Sequence, residues 1–195
     1  MNDNLVIRHA TVADMPGIRA LLKKYHRDTI SDKDRPGGFV TTAITDEQLT
    51  DLIEKENGVM IIVRPSDAPS PDEVLAFCFA APWEFWKSWP LFAYMIEIMP
   101  EYEFEGKKIV VEETYQYGPI CVDTSIRGTG AFADLFYASL TDFKDRFPVM
   151  ITFVNSINGR SENAHNNKAH MQTIGTFDFN DNHYLMMAIR TDHEK

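Results

Sequence analysis

A glycine-rich turn between two apolar segments is the part of the sequence best suited to chemistry. Residues 118–132 read Gly-Pro-Ile-Cys-Val-Asp-Thr-Ser-Ile-Arg-Gly-Thr-Gly-Ala-Phe, which predicts a strand, a turn at 127–130 and the start of an amphipathic helix. Two glycines let the backbone close around an anion, and the first amides of a helix are unpaired donors at the positive end of its dipole. The turn could therefore bind a phosphate, although such a turn also occurs as a plain connection.

Two better-known phosphate-binding patterns are missing from the sequence. It contains no G-x-x-x-x-G-K-[ST] segment and no G-x-G-x-x-G unit near its beginning. A nucleotide P-loop and a dinucleotide-binding fingerprint are therefore excluded.

Apolar periodicity predicts the elements that position this turn. The order is β-α-α-β-β-β-α-β-α-β-β, and Thr45 with Gln48 forms a capping box that predicts the start of the second helix. An aromatic-rich segment at about 82–108, which also holds Pro90 and Pro100, interrupts the order. The strands are expected at 5–8, 59–63, 73–80, 109–122, 149–154, 177–179 and 184–189, and the helices begin near 12, 45, 130 and 161.

Length and composition indicate one globular domain. The chain has 195 residues, of which 44% are hydrophobic and 25% charged, close to the average for globular proteins. The net charge of −10 without a basic run argues against nucleic acid and anionic membranes as partners. No signal peptide or membrane-spanning run is visible, and Cys78 and Cys121 lie in strand-like segments, so we expect a cytoplasmic protein with buried, reduced thiols.

The turn resembles the pyrophosphate motif of the GNAT N-acetyltransferase superfamily, usually written [QR]-x-x-G-x-[GA]. The motif can start at Ser125 or at Arg127, and both registers keep R-G-x-G. Residues 154–165, Val-Asn-Ser-Ile-Asn-Gly-Arg-Ser-Glu-Asn-Ala-His, resemble the family's N-x-x-[AS]-x-x-x-[YH] segment after the fifth strand. The resemblance covers nearly the whole chain except the aromatic-rich insertion.

The resemblance implies an α+β fold: a mixed, mostly antiparallel sheet, splayed between its fourth and fifth strands and flanked by about four helices. It also implies that acetyl-CoA is the acyl donor, with the pantetheine arm pairing with the fourth strand as an added strand. The implied cofactor-binding residues are Ile120, Cys121, Val122, Arg127, Gly128, Thr129, Gly130, Ala131, Phe132, Asn158 and Ser161.

The family comparison also implies catalytic roles. His165 occupies the position where the family commonly places a tyrosine general acid, and Tyr184 is a second candidate acid. Glu112 and Glu113 lie early in the expected fourth strand, where some members keep a carboxylate base. Successive strand residues point to opposite faces, so only one of the two glutamates could face the cleft.

Two features bear on the acceptor. Trp83, Trp86 and Trp89 recur every three residues, which fits a helical core stripe or a dimer contact better than a cation-binding wall. The loop 26–42 lies where the family places acceptor-binding residues, and its acids Asp28, Asp32 and Asp34 are more typical of a solvated surface.

Two hypotheses follow. The first is an N-acetyltransferase that transfers an acetyl group from acetyl-CoA to a primary amine of a small molecule or protein by direct attack in a ternary complex. The second is a non-catalytic acyl-CoA-binding or assembly module on the same fold. Neither involves a metal, and a homodimer is possible.

Overall fold

The helices and strands follow the predicted order, and the insertion adds two helices and a hairpin to it. The computed structural model describes residues 5–32, 38–67 and 71–195. The strands are β1 Val6–His9, β2 Val59–Arg64, β3 Glu73–Pro82, β4 Glu103–Phe104, β5 Lys107–Lys108, β6 Thr114–Val122, β7 Val149–Asn155, β8 Gln172–Phe179 and β9 Asn182–Arg190. The α-helices are α1 Met15–Tyr25, α2 Asp46–Glu54, α3 Trp83–Trp86, α4 Pro90–Ile98, α5 Ala131–Phe143 and α6 Gly159–Asn167.

Seven strands form one mixed sheet in the order β1-β2-β3-β6-β7-β9-β8, and β4 and β5 form a separate hairpin. The pairs β1–β2, β2–β3, β7–β9 and β8–β9 are antiparallel, whereas β6 and β7 are parallel. The predicted mixed, mostly antiparallel α+β fold is confirmed.

The parallel ladder between β6 and β7 is short. It joins Thr114–Gln116 to Val149–Ile151, three residue pairs in all. β6 continues to Val122 and β7 to Asn155, so both strands extend beyond the last pair. The splay expected between the fourth and fifth strands of the sheet stays a prediction.

The chain divides into two compact units, each built from two segments. One unit contains 1–79 and 118–139, and the other contains 80–117 and 140–195. In the first unit, α1 packs directly on β3, because a β-carbon at Gly17 would lie 2.6 Å from Cγ2 of Val74. The elements β3, β6 and α5 contribute residues to both units, so the units are not consecutive domains, and the single domain stays a prediction.

Local signals explain where the first helices begin. Thr45 caps α2: its hydroxyl accepts from the Gln48 N–H, and Gln48 Oε1 accepts from the Thr45 N–H at 2.9 Å. This reciprocal bonding confirms the predicted capping box. Pro16 lies in the first turn of α1, where its missing N–H costs no helical hydrogen bond.

The insertion at 82–108 consists of two helices, a 3-10 turn and the β4–β5 hairpin. Trp83 and Trp86 are buried and Trp89 is half-buried, with the Trp86 ring 5.0 Å from that of Phe92. The interpretation of the tryptophans as a core stripe is confirmed for Trp83 and Trp86. Because α3 and α4 were not predicted, the expected number of about four helices is too low: the described residues form six.

The insertion is fastened to β8. The ring of Tyr102 lies against Gly175, where any β-carbon would overlap the ring, and the Tyr102 hydroxyl donates to the Thr176 carbonyl at 2.7 Å. Gly175 lies at the irregularity in the β8–β9 register.

Several predicted boundaries are wrong. The fourth strand of the sheet was expected at 109–122, but residues Val111–Glu113 form a 3-10 turn and the strand starts at Thr114. The Glu113 N–H donates to the Val110 carbonyl and the Thr114 hydroxyl to the Val111 carbonyl, which closes the turn. The last helix ends at Asn167, and β8 starts at Gln172 rather than at 177.

In the described part of the chain, no helix has the length and apolar character needed to cross a membrane.

Candidate active site

The glycine-rich turn has the backbone conformation that its composition predicts. Gly128 and Gly130 have φ values of +84° and +96°, which residues with a β-carbon rarely adopt. α5 begins at the next residue, Ala131, and its first helical bond runs from the Asp134 N–H to the Gly130 carbonyl at 3.0 Å. The first amides of a helix have no partner within the helix, so those at the start of α5 can bind an anion.

Space next to the turn is open. A β-carbon at Gly128 would meet no heavy atom of the described residues within 4 Å, and Gly128 and Gly130 are exposed. The Thr129 hydroxyl donates to the Ile126 carbonyl at 2.7 Å, and Arg127 Nε donates to the Val122 carbonyl at 2.9 Å. Backbone amides, rather than these occupied side-chain atoms, are therefore the groups available for a phosphate.

A cluster around Asp123 supports the turn from the end of β6. Asp123 Oδ1 accepts from the Ser125 N–H at 2.9 Å, and Oδ2 accepts from Lys24 Nζ at 2.6 Å. The Tyr25 hydroxyl accepts from the Thr124 N–H at 2.9 Å and donates to Asp123 Oδ2 at 3.2 Å. These bonds fix the strand end that precedes the turn.

Burial alone would raise the pKa of Asp123, but hydrogen bonds from Lys24 and Ser125 outweigh burial and lower it to about 2. Asp123 is therefore ionised at neutral pH, and its carboxylate accepts hydrogen bonds from Lys24 and from the Ser125 N–H within the cluster. The Arg127 guanidinium lies over the Tyr25 ring, 5.1 Å from its centroid, which holds this cation next to the turn.

An acid lies in the first turn of α5. Asp134 is exposed, and its Oδ2 is 3.6 Å from the position that a β-carbon of Gly130 would occupy. A carboxylate here stabilises the helix N-terminus. It also places a negative charge where a phosphate would bind.

The other predicted cofactor-binding residues on β6 and α5 differ in exposure. Ile120, Val122 and Phe132 are half-buried, whereas Ala131 and Cys121 are buried. Burial raises the pKa of the Cys121 thiol to about 12, so Cys121 is an inert thiol. Cys78 and Cys121 are both buried thiols outside any disulfide, as predicted.

Asn158, Ser161 and His165 lie together at the start and middle of α6. Asn158 is the N-cap of this helix, and its side chain accepts from the Ser161 N–H at 3.4 Å. His165 Nδ1 lies 2.7 Å from the Ser161 carbonyl oxygen and 3.3 Å from Ser161 Oγ. Since a carbonyl oxygen only accepts, Nδ1 carries the proton and donates it to this bond.

His165 is buried at 4% exposure. Burial lowers the pKa of His165 to about 4, against the opposing effect of its bond to Ser161. The ring is therefore neutral at pH 7, and its N–H is already donated within the helix. These properties do not suit a general acid.

Tyr184 occupies a different position, on β9 opposite Asn155 of β7. Its ring stacks on Phe177 at 5.2 Å and meets Phe153 edge-on at 5.5 Å. Two aromatic neighbours fix the ring, and the side chain is half-buried. A tyrosine hydroxyl held in this way can donate a proton to a bound group.

Glu112 and Glu113 are both exposed and both belong to the 3-10 turn before β6. Their expected placement on the strand is wrong, so the argument that only one of them can face the cleft does not apply. In the proposed acceptor loop, Asp28 and Asp32 are exposed, and Asp34 lies outside the described residues.

Comparison with solved structures identifies the fold. The ribosomal-protein-alanine N-acetyltransferase from Brucella melitensis matches with a TM-score of 0.59 and 18% identity over 95% of this chain and 99% of that one. A putative acetyltransferase from Salmonella typhimurium, yncA, solved with its cofactor acetyl-CoA, matches with a TM-score of 0.60 and 13% identity over 98% and 96%. A chain of the NatC complex bound to Gag peptide and CoA matches with a TM-score of 0.61 and 8% identity over 95% and 98%.

The chain has the GNAT fold. No protein-family model matches the sequence, and no curated protein matches it. The likeness to GNAT structures therefore lies in the arrangement of elements, with identities of 8% to 18% in these three.

Some residues that support this GNAT fold were missed from the sequence. The Asp123 side chain accepts from a backbone N–H two residues on, a common role of Asp before Ser or Thr, and this local signal could have identified it. Lys24 and Tyr25 bind Asp123, which lies 99 and 98 positions away in the chain. No local signal in the sequence therefore points to them. Among the described residues, no group of three or more His, Cys, Asp or Glu could hold a metal ion.

Proposed function

We propose that this protein is an N-acetyltransferase that transfers the acetyl group of acetyl-CoA to a primary amine. The observation that carries the proposal is the exposed turn 127–130, with Gly128 and Gly130 at positive φ directly before α5. Such a turn binds a pyrophosphate through backbone amides. The GNAT fold around it, and the acetyl-CoA or CoA named for two matching structures, support CoA as the ligand.

The proposed reaction is a direct attack of a neutral amine on the thioester. The new C–N bond forms as the C–S bond breaks; the amine loses one proton and the departing thiolate gains one, giving an acetamide and free CoA thiol. A base must take the first proton and an acid must supply the second. A backbone amide of β6, in the part beyond its ladder with β7, would donate to the oxyanion.

For the acid we propose Tyr184 rather than His165. Tyr184 is half-buried and held by Phe177 and Phe153, whereas His165 is neutral at pH 7 and its proton is bonded to Ser161. Glu112 and Glu113 stay the proposed bases, acting through water because both are exposed. Asn158, Ser161, Ile120, Val122 and the turn residues stay proposed cofactor contacts.

The acceptor we propose is a protein N-terminal amine. One matching structure is named a ribosomal-protein-alanine N-acetyltransferase, and another is a complex bound to a Gag peptide, so both names refer to a protein or peptide. The net charge of −10 suits a cationic acceptor. A panel of peptides with different first residues, assayed beside small amines by release of CoA thiol, tests this choice.

Binding of acetyl-CoA tests the central proposal, and two matched glycines sharpen the experiment. Gly128→Ala places a methyl group in the open space at the turn, where φ is +84°. Gly106→Ala imposes the same strain in the β4–β5 hairpin, where φ is +76° and a β-carbon also meets nothing within 4 Å. Each should lower stability by about 1 kcal/mol.

Calorimetric titration with acetyl-CoA should then separate the two variants. We expect wild type and Gly106→Ala to bind equally well and Gly128→Ala to bind at least about tenfold more weakly. No binding to the wild type would contradict the proposal. Binding without thiol release for any amine or peptide would instead support a non-catalytic acyl-CoA-binding module.

A further inference from the structure

The carbonyl of Tyr117 lies one residue past the last pair of the β6–β7 ladder. The last pair in the register is Gln116 with Ile151. One further step would pair Tyr117 with Thr152. At this step, however, the side chain of Thr152 donates its hydroxyl to the Tyr117 carbonyl at 2.6 Å.

A second side chain donates a hydrogen bond to the same carbonyl oxygen. Gln116 Nε2 also donates to the Tyr117 oxygen at 2.6 Å. A carbonyl oxygen has two lone pairs, and these two donors use both of them. No backbone N–H of β7 can then bond to this oxygen, so the ladder cannot pass Tyr117.

Both donors are rigidly placed. Gln116 is 1% exposed and Thr152 is 4% exposed, so neither side chain can exchange its bond for one to bulk water. The bonds are buried, where an unmade hydrogen bond is costly. The backbone changes direction at the next residue, Gly118, whose φ is +108°.

We propose that Thr152 and Gln116 are positioning residues: by occupying the Tyr117 carbonyl they stop the β6–β7 ladder, and so keep the backbone of β6 beyond it free to pair with the extended arm of the acyl donor. This inference rests on the proposed function, since it assigns the opened strand to the pantetheine arm. Neither residue touches the reacting atoms in this account. They act through the backbone of β6.

Thr152→Val tests the proposal, because valine keeps the shape of threonine and removes the donor. Without the hydroxyl, a lone pair of Tyr117 becomes available to β7 and the ladder can extend. Acetyl-CoA should then bind at least about tenfold more weakly, while Thr152→Ser, which keeps the hydroxyl, should bind within about twofold of wild type.

Thr114→Val is the matched control. Thr114 lies on β6, the strand of Tyr117; it is buried, accepts from Trp83 Nε1 at 2.8 Å and donates to the Val111 carbonyl. Its loss should lower stability as the loss of Thr152 does, without a change in acetyl-CoA affinity. Equal weakening of binding by Thr114→Val and Thr152→Val would mean that general loss of packing is the cause, and would overturn the proposal.

Hydrogen exchange gives a readout that does not depend on acetyl-CoA. In Thr152→Val, the amides just past the ladder end, those of Gly118, Ile120 and residues 152–154, should include at least one whose exchange slows by about tenfold or more relative to wild type. Unchanged exchange there would overturn the ladder-stopping role even if wild type binds acetyl-CoA. Slower exchange in a protein that does not bind acetyl-CoA would uphold that role and refute the proposed function alone.

If Thr152→Val does not fold, Gln116→Met removes the other donor and is measured in the same way. Weaker acetyl-CoA binding and slower exchange at the same amides are again expected. Wild-type behaviour of Gln116→Met in both measurements would overturn the proposal.

Discussion

The ring of His165 on α6 meets the ring of Tyr117 on β6 edge to face, with 6.0 Å between their centroids. This contact, together with the bond from Nδ1 to the Ser161 carbonyl, holds a neutral imidazole in the core. Protonation of His165 would place a charge among buried groups. The pH dependence of stability should therefore report on this residue.

We expect the wild type to lose stability as the pH falls from about 6.5 to about 4. The pKa of His165 is lowered from 6.5 to about 4 by burial, so the unfolded chain binds a proton in this range that the folded chain does not. The contribution of neutral His165 to the free energy of unfolding is fully present above pH 6.5. About 3 kcal/mol of this contribution is lost by about pH 4. Denaturant unfolding of wild type and His165→Phe at several pH values measures the difference, and parallel curves for the two proteins would contradict the burial of a neutral ring.

Tyr184→Phe should lower kcat by about a hundredfold or more, the usual contribution of a general acid. Phenylalanine keeps the contacts with Phe177 and Phe153, so stability and the KM for acetyl-CoA should change little. Steady-state assays of thiol release measure both constants. Tyr94→Phe is the control, because Tyr94 packs on the neighbouring rings Phe177 and Phe179; an equal loss in both variants would remove Tyr184 from the mechanism.

Asp134→Asn should change stability and binding in opposite directions. The carboxylate in the first turn of α5 stabilises the helix N-terminus by about 0.3–1 kcal/mol, and the variant loses this contribution. The same charge opposes a phosphate at the turn, so the dissociation constant for acetyl-CoA should fall severalfold. Thermal unfolding and calorimetric titration give the two values, and weaker binding by the variant would show that Asp134 does not oppose the cofactor.

Glu112→Gln and Glu113→Gln test the proposed bases. If either carboxylate takes the proton of the amine through water, its variant should show a lower kcat near neutral pH and partial recovery at higher pH, where more of the amine is neutral. Affinity for acetyl-CoA should not change, because both residues lie on the turn before β6. Wild-type activity in both variants would exclude the two glutamates.

Local signals in the sequence located most elements of the fold. The Thr45–Gln48 box predicted the start of α2 because both bonds join residues three positions apart. The turn 127–130 was recognisable because glycine is the residue that the positive φ values require. Such features depend on neighbours in the chain.

Features that depend on distant residues were not predictable in this way. Val110 and Val111 favour a strand by propensity, yet the Thr114 hydroxyl closes a turn over them and binds Trp83 Nε1. The burial of His165 comes from the packing of α6 against β6, which its place in the motif does not reveal. The bond between Thr152 and Tyr117 joins residues 35 positions apart.

The contact between Tyr102 and Gly175 limits how this protein can be redesigned. Because the ring of Tyr102 fills the space that a side chain at position 175 would need, the insertion and the strand β8 must change together. A shortened chain that lacks residues 82–108 would leave a gap beside Gly175 and uncover Phe153, which packs on Phe92. Libraries that vary the insertion should therefore keep Tyr102, or replace Gly175 in the same step.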